Sequence, residues 1–156
     1  MSIIDKTCQF VEQKLAGDGS GHDWWHIYRV WKLAKNIAAK EGANKLIVEL
    51  SALLHDIADW KFHDGDDTKG PQIAEQFLLE NKVVREVIDP VVEIVATISY
   101  KGAGVATPMQ TLEGKVVQDA DRLDAIGAMG IARTFAYGGH KNRLMYHPDE
   151  KPVMHQ

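Results

Sequence analysis

The sequence predicts an all-α fold in a single domain, and three observations carry that prediction. Apolar residues recur at three- and four-residue spacing, strict alternation is almost absent, and Asp, Asn, Thr, Gly and Pro punctuate the periodic stretches. At 156 residues the chain has the size of one ordinary domain and can bury a core without disulfides or structural metal.

Ile4, Cys8, Val11 and Leu15 form a first helical stripe that stops in the loop formers of residues 16–21. Asp23 offers an N-cap to a second helix, where Ile27, Val30, Trp31, Ala34, Ile37 and Ala38 continue to a stop at Gly42. Asn44 caps a third, whose Leu46, Leu50, Leu53 and Ile57 share a face. Residues 61–70 are polar and acidic and read as a loop, after which Pro71 suits the first turn of a fourth helix ending near Asn81. Asp89-Pro90 is expected to divide the apolar stretch from Val83 to Tyr100 into a short helix and a longer one.

Residues 101–110 hold two Gly and one Pro without periodicity and form a connection. Thr111 is a fair N-cap for a helix reaching Asp121, and a last helix is expected from Ala125 to Tyr137, ended by Gly138-Gly139. This makes about six to seven helices. The remainder, residues 141–156, reads as a polar tail with Pro148 and Pro152.

Composition narrows the function classes. With 45% apolar and 26% charged residues the chain is globular rather than disordered. Its formal charge of −4 argues against a nucleic-acid polymer as partner, since affinity for phosphate backbones comes from clustered Lys and Arg. The single cysteine, Cys8, can form no internal disulfide or thiol metal site. No apolar stretch approaches the roughly 18 residues of a membrane span, and the N-terminus lacks a leader pattern. A cytoplasmic protein with no membrane partner is expected, as a monomer or homodimer.

The apolar run Leu53-Leu54 leads straight into His55-Asp56, with His26 upstream and Asp121 downstream on similar segments. Imidazole nitrogen and carboxylate oxygen are ligand types that suit catalytic divalent ions. Consecutive helical residues point about 100° apart, so His55 and Asp56 share one ion only where a helix is ending, and Ala58-Asp59-Trp60 marks that end. His26 stands four residues before Val30, facing inward. Asp121 closes an apolar helical run where an unpaired carboxylate would be costly. Singly, an inward His is more often a hydrogen-bonded core residue and a helix-end Asp more often a cap; together they read as a ligand set.

In order and context, His26, His55, Asp56 and Asp121 resemble the HD superfamily of metal-dependent phosphohydrolases, whose pattern is a His, a later His-Asp pair and a final Asp, all on helices. The segments Gly21–Val30, Ala52–Asp59 and Gln118–Gly127 are similar to one branch of small bacterial HD hydrolases of unassigned substrate. The resemblance covers roughly residues 5–140 and implies an HD domain over 1–140. Members of that branch continue with further helices past the region of Gly138-Gly139, so a chain truncated relative to the family is expected.

The resemblance implies one divalent ion on His26, His55, Asp56 and Asp121, with Mn, Mg, Fe, Co, Ni and Zn all compatible and a second ion left open. Such an ion leaves room for water and a substrate oxygen, which fits hydrolysis of a phosphate ester of a small metabolite or nucleotide. Asp56 and, one helical turn on, Asp59 are the expected catalytic carboxylates; the resemblance places Asp59 near the attacking water. Asp64 is a weaker candidate of the same kind. Arg29, Lys101 and His22 are the expected substrate-binding groups, and Asp124 is expected to orient a ligand or bind Arg122. Trp24, Trp25 and Trp31 read as packing residues. The principal rival is a catalytically silent module that binds metal and nucleotide for regulation; a helical oligomerisation domain with incidental His and Asp is the third reading.

Overall fold

A computed structural model describes residues 1–17, 21–58, 68–100 and 105–151. Among them are seven helices and no strands: α1 (Ile3–Lys14), α2 (Trp24–Glu41), α3 (Lys45–Leu54), α4 (Lys69–Glu80), α5 (Arg85–Thr97), α6 (Leu112–Asp124) and α7 (Gly127–His140). No helix is long and apolar enough to cross a membrane.

The starts of three helices follow from local chemistry that the sequence displays. Asp23 accepts the backbone N–H of His26, Asn44 accepts those of Leu46 and Ile47, and Thr111 accepts that of Gly114. Each satisfies N–H groups that a first helical turn leaves without partners. Gly42 ends α2 in the left-handed region at φ 74°. Ser2 and Asp5 add a reciprocal capping box to α1.

Two expectations are corrected. Pro90 does not divide its segment: α5 runs unbroken from Arg85 to Thr97 with Pro90 in its second turn. The missing N–H forfeits a bond only to the Glu86 carbonyl of the first turn, and Ile88, Val91, Ile94 and Val95 bury one continuous face. Nor does Gly138-Gly139 end the last helix, which runs on to His140. The stop lies at Asn142, whose φ is 52°. There Arg143 N–H donates to the Gly138 carbonyl at 2.8 Å and Asn142 N–H to that of Gly139 at 3.0 Å, the two bonds of a Schellman ending with Asn in the glycine position.

The ten-residue α3 is the centre of the bundle, packed by α1, α2, α5 and α6. All seven of its residues from Val48 to Leu54 are buried, as expected of a helix enclosed on every side. Leu50, Leu53 and Leu54 join Val11, Ile27, Leu78 and Val91 in one apolar cluster. Val48 and Ala52, on the opposite face, join Val30, Ala34, Ile94 and Val117 in another. Because α2 packs on both α3 and α6, the N-terminal end of α2, the C-terminal end of α3 and the last turns of α6 meet at one end of the bundle.

Candidate metal centre

His26 occupies the third position of α2, its backbone N–H tied to Asp23 at 2.9 Å and its side chain fully buried. His55 caps the C-terminus of α3, and Asp56 follows in the turn that leaves the helix. Asp121 stands one turn before the end of α6. His55 keeps helical dihedrals, φ −59° and ψ −33°, and its Nε2 still lies 3.6 Å from Oδ2 of the following Asp56 and 3.7 Å from Asp121 Oδ1.

The two imidazoles are oriented by their far nitrogens. His55 Nδ1 lies 2.9 Å from the Ala52 carbonyl and His26 Nδ1 lies 2.8 Å from Asp124 Oδ2. A proton donated from each Nδ1 leaves each Nε2 as a lone pair. Those Nε2 atoms are buried and have no hydrogen-bond partner among the described residues. His26 Nε2 lies 3.5 Å from Asp56 Oδ2 and 3.4 Å from Asp121 Oδ1; the corresponding distances for His55 Nε2 are 3.6 and 3.7 Å.

This donor set fits a divalent cation. Groups held ~2.0–2.2 Å from a shared ion stand roughly 3.0–3.5 Å from each other, close to the separations found. An orphaned buried nitrogen is costly, and two of them facing two carboxylates are reconciled by one positive ion. His26, His55 and Asp121 form one group able to hold a metal; His22, His26 and Asp56 form a second that shares His26. His22 Nδ1 is 2.7 Å from Asp56 Oδ2.

Without a metal the facing carboxylates favour proton uptake by the two imidazoles. Burial opposes a charged His26, but the carboxylates of Asp121, Asp124 and Asp56 outweigh it and push its pKa up to about 10. Burial likewise opposes charge on His55, and Asp56 and Asp121 still raise it. Asp56 and Asp121 sit well below the usual carboxylate range, their desolvation overcome by the facing imidazoles.

Asp124 supports the centre from behind. Its carboxylate, only 7% exposed, accepts from Arg29 Nε at 2.7 Å and Arg29 Nη2 at 2.9 Å in addition to His26, and Arg133 Nη1 lies 3.5 Å away. Arg29 is therefore committed to Asp124 and does not line the cavity in front of the centre. Asp124 contacts His26 as a ligand-orienting group would; Arg122 turns instead to Thr107 Oγ1 at 2.7 Å.

That cavity has a volume of about 490 Å³. His22, His55, Asp56 and Asp121 line it together with Arg122, Arg133 and Tyr100. Arg133, missed in the sequence, arrives from α7; no local signal distinguishes it, because its place depends on how α7 folds back beside Gly21. Asp59, Asp64 and Lys101 lie outside the described residues. Trp24 and Trp31 pack against the first apolar cluster, and Trp31 Nε1 donates to Glu49 at 2.9 Å.

Residues 24–126 match the family described as HD domain, and the chain belongs to that family. An HD-superfamily hydrolase from Bacillus thuringiensis is 47% identical, with a TM-score of 0.71 over 96% of this chain and 71% of its own. YpgQ of Bacillus subtilis, whose structure was determined in complex with ADP, is 40% identical with a TM-score of 0.74, covering 94% of this chain and 73% of that one. A Lactobacillus plantarum protein is 35% identical and superimposes with a TM-score of 0.83 over 100% of this chain and 73% of its own.

Proposed function

We propose that this protein is a metal-dependent phosphohydrolase that cleaves a phosphate ester of a small metabolite or nucleotide. The observation that carries the proposal is the convergence of the buried His26 and His55 Nε2 atoms, without hydrogen-bond partners among the described residues, on Asp56 and Asp121, beside a cavity that His55, Asp56 and Asp121 line together with Arg122 and Arg133. In this reading His26, His55, Asp56 and Asp121 hold one divalent ion. When bound, such an ion makes water acidic enough to supply hydroxide near neutral pH and stabilises charge on a phosphoryl group.

The chain's own residues orient and move protons around that chemistry. His55 is fixed by the Ala52 carbonyl and His26 by Asp124, so neither imidazole has to reorganise when the ion enters. Asp56 Oδ2, 2.7 Å from His22 Nδ1, holds it against the cavity wall, where His22 meets the substrate. Asp59 is assigned the proton transfer to the leaving oxygen and Lys101 a phosphate contact. Arg29 acts through Asp124 rather than on substrate. The ADP bound by the related YpgQ supports a phosphorylated, nucleotide-type ligand here. A cytoplasmic monomer or homodimer acting alone on a small substrate is consistent with this chemistry.

The test is a panel of phosphate esters and nucleotides assayed for phosphate release with Mn, Mg, Co, Ni and Zn in turn, with Asp56→Ala as control. Metal-dependent turnover that disappears in the control is expected. Absence of turnover with metal demonstrably bound would hand the lead to the silent binding module. Asp59→Asn is expected to lower turnover with metal occupancy intact; loss of metal would make Asp59 a ligand instead.

A further inference from the structure

Arg133 sits where two cavities adjoin. It lines the 490 Å³ cavity in front of the metal centre and also a second, of about 300 Å³, along α7; His22 and Ala125 are the other residues common to both walls. Arg143 and Tyr137 line the outer cavity. The Arg133 side chain is only 16% exposed, so it is held in this position rather than solvated.

Packing explains why it is held there. A Cβ on Gly130 would collide with the Ala125 carbonyl, so α7 lies closer to the end of α6 than any other residue would permit. Arg133 follows Gly130 by three residues and shares its face of the helix. On the other side Gly21, at φ +93°, would place a Cβ 3.5 Å from Arg133 Cγ. The Gly130 approach sets how near α7 lies to Ala125, and the Arg133 stem passes beside Gly21 at ordinary van der Waals distance, where the two cavities adjoin.

The charges show what the guanidinium lacks. A divalent ion would balance Asp56 and Asp121, and Arg29 already balances Asp124 through two short bonds. Among the described residues the one carboxylate within 4 Å of Arg133 is that same Asp124, reached through one nitrogen at 3.5 Å, a separation too long for a good hydrogen bond. Among the described residues it has no carboxylate of its own. A planar fork of donors in a recess, facing a cavity and short of an anion, is suited to phosphate oxygens.

We propose that Arg133 is a substrate-binding residue that grips non-reacting phosphate oxygens at the junction of the two cavities, with the rest of the substrate extending into the outer one. The proposal rests on the phosphohydrolase reading for its substrate but not for its test. The full chain, loaded with Mn²⁺, is titrated calorimetrically with inorganic phosphate and with α,β-methylene-ADP, whose methylene bridge between the two phosphorus atoms resists hydrolysis, and Mn²⁺ affinity is measured separately. Arg133→Ala is expected to weaken both phosphate probes on the order of tenfold to hundredfold. Arg133→Lys should recover part of the loss, because charge returns without the fork. Mn²⁺ affinity should change by no more than about fivefold, the loose contact with Asp124 being worth little.

Probe binding equal to the parent's in Arg133→Ala would overturn the proposal, and so would a parent that binds neither probe. A loss of Mn²⁺ affinity as large as the loss of phosphate affinity would assign Arg133 to the support of Asp124 instead. Failure of the hydrolase reading appears separately, as absence of phosphate release from any ester while the binding titrations still report on Arg133.

Discussion

Replacing Asp124 by Asn tests whether the metal centre depends on a residue that does not belong to its ligand set. The carboxylate now accepts one bond from His26 Nδ1 at 2.8 Å and two from Arg29 at 2.7 and 2.9 Å. Asparagine keeps the shape but offers one acceptor oxygen and an NH₂ that must face a donor, so at least one bond is lost with the charge. Orientation of His26 then weakens and its Nε2 becomes a poorer ligand. Removal of such supporting groups lowers metal affinity about 10- to 100-fold, or ~1.4–2.7 kcal/mol. The assay is competition for Mn²⁺ against a fluorescent chelator at fixed pH, with circular dichroism to confirm that the helices are intact. Unchanged affinity in the folded Asp124→Asn variant would refute the argument that Asp124 fixes His26.

Three further outcomes are expected. Pro90→Ala should raise the urea midpoint, adding ~1–2 kcal/mol: part of the ~3 kcal/mol penalty of a proline in a helix is offset because the unfolded chain becomes freer. Leu53→Ala, at a fully buried site where α3 is enclosed by its neighbours, should cost about 2–5 kcal/mol in the same assay. The metal-free protein should lose stability on both sides of a mildly acidic range. His26, raised from 6.5 to about 10, contributes fully below about pH 6.5 and ceases to contribute as pH rises through about 10. The lowered carboxylates of Asp56, Asp121 and Asp124 contribute above about 3.8 and lose their contribution as pH falls further. Urea midpoints measured across this range check both arms, and a flat alkaline limb in the metal-free protein would contradict the assignment of His26.

What could be read in the sequence was what local chemistry determines. Asp23, Asn44 and Thr111 announce helix starts because a side-chain oxygen two or three residues before an N–H satisfies it whatever the rest of the chain does. Pro90 and Gly138-Gly139 misled because tertiary burial of one face carried α5 through a proline, and because Asn142 supplied the left-handed residue that the glycines seemed to offer. The site divides in the same way. His26, His55, Asp56 and Asp121 were visible as residue types at the ends of apolar runs. Asp124 was legible as a residue that orients a ligand or binds Arg122, but not as the partner of His26, from which it lies 98 residues away, and Arg29 was free in the sequence to face either substrate or protein. Arg133 required the seating of α7 against Gly21 and Ala125, which no periodicity encodes.

Metal stoichiometry tests the central claim most directly. The purified chain is stripped with chelator, dialysed against Mn²⁺ and analysed for bound metal by elemental mass spectrometry, in parallel with folded His55→Ala and Asp121→Ala variants. A divalent ion retained by the parent and lost from both variants is the predicted result. A parent that retains no ion, or variants that retain it undiminished, would contradict the account.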